Sequence, residues 1–109
     1  FEDAAAGFYA VLRFEAEAGD IAEAQYGLAK SFEKLGLPLA ALKYYEDGLV
    51  IRKRLHDADP ENAILIHDLS ISYRHVGEVL KKKGEAEKAR ASFDEDIALN
   101  KRLILLAPQ

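Results

Sequence analysis

Three histidines, His56, His67 and His75, are the residues best suited by type to hold a metal or move a proton. A helical metal site needs its ligands on one face, commonly at i and i+4. His67 and His75 stand eight apart, about 80° out of alignment at 100° per residue. His75 and Glu78 are i, i+3 neighbours, but two ligands do not make a site. The histidines therefore read as surface or groove residues, and no metal site is expected. Asp94, Glu95 and Asp96 could supply acid–base chemistry only with a pocket and shifted pKa values. Consecutive residues on a helix point in different directions, so this run reads as a solvated face. Ser70 and Ser72 lack the Gly-x-Ser-x-Gly setting of a nucleophile. No Gly-rich run precedes a Lys-Ser or Lys-Thr, so no phosphate loop is present. The expectation is a protein that is not an enzyme and carries no cofactor.

Charge and composition narrow the remaining classes. Lys81-Lys82-Lys83 is the one basic run, followed by Lys88 and Arg90. Lysines at the end of a helix complement the negative end of its dipole, which is the simpler reading of that run. The whole chain carries a formal net charge of −4, whereas nucleic-acid binders usually have a basic surplus. No apolar run approaches the roughly 20 residues that cross a membrane. Hydrophobic residues make up 50% and charged residues 31%, which excludes a mostly disordered chain. There is no cysteine, which fits a reducing compartment and points to the cytoplasm. Phe1-Glu2-Asp3 lacks a starting Met and reads as a cut end of a longer repeat protein.

The elements that must position these residues are helices. No stretch alternates apolar and polar residues for long, and no Asn-Gly or Asp-Gly turn occurs. Asp3 can cap a first helix that Gly19 ends, and Asp20 with Glu23 forms a capping-box pattern for a second. That second helix carries Leu28, Ala29 and Phe32 on one face and stops near Gly36. Pro38 suits the first turn of a third, where its missing N–H costs nothing. Asp59-Pro60-Glu61 opens a fourth, with a stripe of Leu69, Tyr73, Val76, Gly77 and Leu80. Gly84 separates it from a fifth carrying Ala86, Ala89, Phe93, Ile97 and Ile104, with Pro108 at its exit. The pattern predicts helices over residues 4–18, 21–35, 38–57, 61–83 and 85–106, joined by tight turns and packed antiparallel.

The chain also repeats itself. Gly36 and Gly84 are 48 residues apart, and the same shift lays Lys34 on Lys82, Ala41 on Ala89, and Pro60 on Pro108. It lays Lys53-Arg54-Leu55 on Lys101-Arg102-Leu103, and Tyr45 on Phe93. Arg52-Lys53-Arg54 and Lys101-Arg102 therefore occupy equivalent places, which suggests an architectural role in pairing with acids of the adjacent repeat. The second copy reads Tyr73-x2-Val76-Gly77-x2-Leu80, then Gly84, then Ala89-x3-Phe93. The first reads Gln25-x2-Leu28-Ala29-x2-Phe32, then Gly36, then Ala41-x3-Tyr45.

This pattern resembles the tetratricopeptide repeat (TPR) family. The period exceeds the usual 34 residues and is similar to the long kinesin-light-chain style of repeat. Ala22 to Ala29 has some Sel-like character. The resemblance implies an all-α, right-handed superhelical solenoid of antiparallel helix pairs. Residues 20–60 and 61–109 would form one repeat each, with 1–19 as the second helix of a preceding repeat. It implies a protein-protein interaction scaffold, whose partner is a protein or peptide lying on the concave face. Glu23, Tyr26, Lys30, Glu33 and Lys34 would line that face from the first copy. Ile71, Arg74, His75, Glu78, Lys81 and Lys82 would line it from the second. Family members that hold a chaperone's C-terminal carboxylate use Lys and Asn where this chain has Tyr26 and Lys30, so that ligand is not implied.

The second copy's face is locally positive, which points to an acidic ligand. No nucleic-acid or membrane partner is expected. Two alternatives come from other classes: a regulatory or targeting domain of a larger enzyme or signalling protein, and a module that self-associates through its ends. The second is motivated by Leu103-Ile104-Leu105-Leu106, an apolar run where a polar cap would stand.

Overall fold

The computed structural model describes the backbone of residues 2–107 and the side chains of residues 13–107. Over that range the chain is all-α, with no strand among the described residues. Four helices follow one another: α1 (Glu2–Lys34), α2 (Pro38–Ala58), α3 (Ala63–Lys82) and α4 (Ala86–Leu106). Pro108 lies outside the described residues. Asp3 does not open the first helix, which is already under way at Glu2.

The expected break at Gly19 does not form, and α1 continues through Gly19 and Asp20. Gly19 keeps an ordinary helical backbone, whereas Gly36 and Gly84 take φ values of 74° and 87°. A lone glycine costs a helix only about 1 kcal/mol against alanine. Its neighbours Ala16, Glu17, Ala18, Ala22 and Glu23 are good helix formers, and no proline follows. Asp20 and Glu23, the expected capping box, sit exposed in mid-helix. A Cβ added at Gly19 meets nothing within 4 Å. Gly19→Ala should therefore stabilise the protein by about 0.5–1 kcal/mol. The same change at Gly84, in the left-handed region, should cost about 1–2 kcal/mol. Opposite shifts in urea midpoint check the pair.

The two true stops are built alike. After Gly36, the Leu37 amide donates to the Phe32 carbonyl at 2.9 Å, and after Gly84 the Glu85 amide donates to the Leu80 carbonyl at 2.9 Å. Both are Schellman closures, which need a positive φ at the glycine. Pro38 takes the first turn of α2 as expected. The start of α3 is shifted from the expected position: Asn62 is its N-cap, and its side chain accepts from the amides of Ile64 at 3.0 Å and Leu65 at 3.4 Å.

Among the described residues, close backbone approaches between helices occur only between successive ones. Gly48 lies against Ala22 and Gln25, and Phe32 stacks on Tyr44, so α1 and α2 run antiparallel. Tyr26 meets His75, and Glu33 meets Lys82, so α1 and α3 run parallel on one side of α2. One core cluster joins all four helices through Ala29, Ala41, Leu42, Tyr45, Val76, Val79, Leu80 and Ala89. A second holds Ile66, Leu69 and Leu99, with Leu49, Tyr73 and Leu103 packed against it. Ala29 and Ala41 are fully buried, and small residues there let α1 and α2 come together. In the second pair Gly77 is closer still: a Cβ on it would lie 2.8 Å from Phe93 Cε1.

The expected apolar stripes hold except at the outer faces. Leu28 is 47% exposed, Ile97 51% and Ile104 75%. No described helix covers these sides of α1 and α4, whereas Val76 is covered by α2.

Candidate functional site

The face shared by α1 and α3 carries a small aromatic cluster on the floor supplied by α2. The His75 ring stacks on Tyr45, with centroids 5.2 Å apart and an interplanar angle of 7°. Tyr26 stands edge-on to both rings, at 6.0 Å from Tyr45 and 5.1 Å from His75. Its hydroxyl lies 3.1 Å from His75 Nε2. The Tyr45 hydroxyl donates to Glu33, and burial followed by that carboxylate pushes its pKa far up. Lys30 places its ammonium 5.3 Å from the centre of the Tyr26 ring, a cation–π distance. Between α1, α2 and α3 a cleft of about 170 Å³ is lined by Glu23, Tyr26, Tyr45, Arg52, Asp68 and Ile71, among others.

Burial holds the His75 pKa below its ordinary value, against the opposing pull of Glu78 at 3.7 Å. The unfolded chain then binds the proton more readily in the window between that lowered value and about 6.5. Stability should fall as the pH drops through this window and be fully present above it. The melting temperature of His75→Gln, compared with the parent between about pH 5.5 and 7.5, should lose this slope.

Expected site residues fall into three groups. Tyr26 and His75 are brought together with Glu23 and Ile71 near them. Lys30, Lys34 and Lys81 are exposed and have no ion-pair partner among the described residues. Arg74 and Lys82 are spoken for. Arg74 Nε donates to Asp96 Oδ2 at 3.1 Å, and Lys82 Nζ to Glu33 Oε2 at 3.5 Å. The positive character expected for the second copy therefore rests on fewer free charges, because α4 and α1 each neutralise one cation.

Asp96 corrects the reading of the acidic run. Asp94 and Glu95 are solvated as expected, but Asp96 is buried and also accepts from Asn100 Nδ2 at 2.8 Å. The period of α4 carries the signal, since Asp96 lies i+3 from Phe93 and i−3 from Leu99 on its inward side. Of the basic residues expected to pair with neighbouring acids, Arg52 does so on both sides, its Nη1 donating to Asp68 of α3 at 3.1 Å and its Nη2 lying 3.7 Å from Glu23 of α1. Lys53, Arg54, Lys101 and Arg102 are instead exposed, with no ion pair among the described residues. Ser70 and Ser72 bond back to the carbonyls of His67 and Asp68, as helix serines do. His67 is exposed, whereas His56 is largely covered, with Nδ1 3.4 Å from Asp57. Lys81 and Lys82 sit in the last turn of α3. Among the described residues no group of three or more His, Asp or Glu side chains could hold a metal. No described helix is long and apolar enough to cross a membrane.

The chain is similar to two curated proteins. It is 28% identical over 108 residues to the photosystem I assembly protein Ycf3 of Cyanophora paradoxa. It is 24% identical over 108 residues to the protein of the same name in Rippkaea orientalis. Each alignment takes in 99% of this chain and 58% of the relative, so the chain spans little more than half the length of either. No family model matches the chain. No solved structure matches it.

Proposed function

We propose that this chain is a protein-interaction scaffold of stacked TPR-like helix pairs, without catalytic activity, that holds a partner segment on the face of α1 and α3. The observation that carries the reading is the Tyr26–Tyr45–His75 cluster, beside a cleft that Tyr26 and Tyr45 help to line, with Lys30 over the Tyr26 ring and Lys34 and Lys81 exposed on the same two helices. Aromatic rings give contact area at low entropic cost, and exposed lysines on the same helices steer an acidic segment. The repeats would be residues 20–60 and 61–109, with the earlier half of α1 belonging to a preceding unit, and their stacking would wind a right-handed superhelix. Relatives named for assembling photosystem I fit a scaffold that works by holding other proteins. The lack of cysteine fits action in the cytoplasm.

The test is fluorescence anisotropy with labelled peptides of equal length that are acidic, neutral or basic. The acidic peptide should bind best, and more weakly as salt rises, because exposed charges are screened over about 8–10 Å. Tyr26→Ala should weaken it about tenfold, the order of one good aromatic anchor. Equal binding of the basic peptide, or indifference to Tyr26→Ala, would reject the site. A second reading, self-association through the ends of the stack, is favoured by the exposed Leu28 and Ile97.

A further inference from the structure

The outer faces of α1 and α4 are copies of the two faces that meet inside the molecule. The 48-residue shift carries α2 onto α4 and the later half of α1 onto α3. The matching Gly36 and Gly84 closures hold that shift in the backbone. The α2–α3 junction is thus a template for how α4 could receive an α1 helix.

Residues that are buried in the template are exposed in the copies. Leu69 is 3% exposed and Val76 4%, while their counterparts Ile21 and Leu28 are 51% and 47% exposed. Leu49 packs against the cluster of Ile66, Leu69 and Leu99, and its counterpart on α4, Ile97, is 51% exposed. The Arg52–Asp68 ion pair has a polar counterpart in Asn100 and Asp20. Some exchanges put a polar residue where the template has an apolar one: Arg90 for Leu42, Ser31 for Val79 and Gln25 for Tyr73. One charge contact changes sign: Glu33 with Lys82 becomes Lys81 with Lys34.

From this correspondence, which rests on the repeat stacking proposed above but not on the aromatic cleft, the geometry points to a second copy of this chain as the occupant of these faces. The α4 face of one copy, centred on Ile97, receives the α1 face of the next, centred on Ile21 and Leu28, in the register of the α2–α3 junction. The two patches differ, so the contact is head-to-tail and each copy keeps one free face at every step. Such an interface does not close on itself after one addition. Its centre is mainly apolar, with Arg90 beside it, and its one predicted contact between two charges is Lys81 facing the partner copy's Lys34. Salt should therefore strengthen it, the opposite of the sign expected for an acidic segment in the cleft.

Sedimentation equilibrium of the full chain over a range of concentrations tests this. The weight-average mass should rise with concentration past the dimer, and rise further with salt. Leu28→Asp and Ile97→Asp each alter an exposed residue and should each give a monomer with unchanged helical circular dichroism. Mixing the two variants should restore a dimer and nothing larger, because one supplies an intact α4 face and the other an intact α1 face. Lys34→Glu should tighten association by pairing with the neighbouring Lys81. A parent that stays monomeric, or an assembly that stops at a dimer and is not rebuilt by mixing, would overturn the proposal. In either case Tyr26→Ala peptide binding would still report on the cleft independently.

Discussion

Gly77→Leu is expected to lower the melting temperature by roughly 10–20 °C. A Cβ at Gly77 would stand 2.8 Å from Phe93 Cε1 and 3.0 Å from both Cδ1 and Cζ. The Phe93 ring packs against the main core cluster, so it cannot swing out without opening the α3–α4 junction. A leucine adds three further heavy atoms beyond that Cβ. Overpacking of this kind costs about 3 kcal/mol, the upper part of its usual range. The better helix propensity of leucine returns less than about 1 kcal/mol. Ala89→Leu, on the facing helix and 3% exposed, should act in the same direction. Lys83→Ala should stay within about 0.5 kcal/mol, since its ion pair to Glu85 is long at 3.7 Å and partly solvated. Thermal denaturation of the three variants side by side decides the matter. Equal melting temperatures would mean that Gly77 does not meet Phe93, and that Ala89 is not buried, as described.

Helix boundaries were readable wherever a stop needs a particular backbone. Gly36 and Gly84 mark turns because the chain must enter the left-handed region there, and Pro38 confirms the first of them. Gly19 carries the same letter without that requirement, and a single residue cannot show whether its helix-forming neighbours outweigh it. Tertiary partners were less readable. The stripe logic places Leu28 and Ile97 on apolar faces, but a stripe does not say whether another helix arrives to cover it. Charges were least readable of all. Lys82 and Arg74 both fall on the expected groove face, yet each is drawn to a carboxylate on a different helix, Glu33 and Asp96. Such pairs depend on the relative rotation of packed helices, to which a periodicity is blind. Tyr45 and Asp68, which line the cleft, were missed for the same reason, since they belong to the floor and the junction rather than to the face itself.

That geometry also decides how the proposed binding face can be probed. Arg74→Glu should destabilise the protein by about 2–4 kcal/mol, so it is unsuited to testing ligand binding. Asp96 is 8% exposed and takes Arg74 Nε at 3.1 Å and Nη2 at 3.5 Å. The same carboxylate holds the Arg74 guanidinium above its ordinary pKa, first through the hydrogen bond and then through charge. Reversing the arginine leaves a buried carboxylate facing another one, with only Asn100 Nδ2 at 2.8 Å still donating to it. Arg74 itself is nearly half exposed, which places the cost below that of a fully buried pair. Arg74→Ala should cost less than Arg74→Glu, because it removes the partner without adding repulsion. Arg74→Glu combined with Asp96→Arg should recover much of the loss, a coupling that a double-mutant cycle measures directly. Lys82→Glu offers the contrast. Its partner Glu33 also accepts the Tyr45 hydroxyl, and Lys82 is 70% exposed, so the exposed pair contributes within about 1 kcal/mol. Urea denaturation should thus separate two cations that look alike in the sequence. If Arg74→Glu melted with the parent, the α3–α4 ion pair would be carrying no stability, and the positive charge of Arg74 would be available to the groove after all.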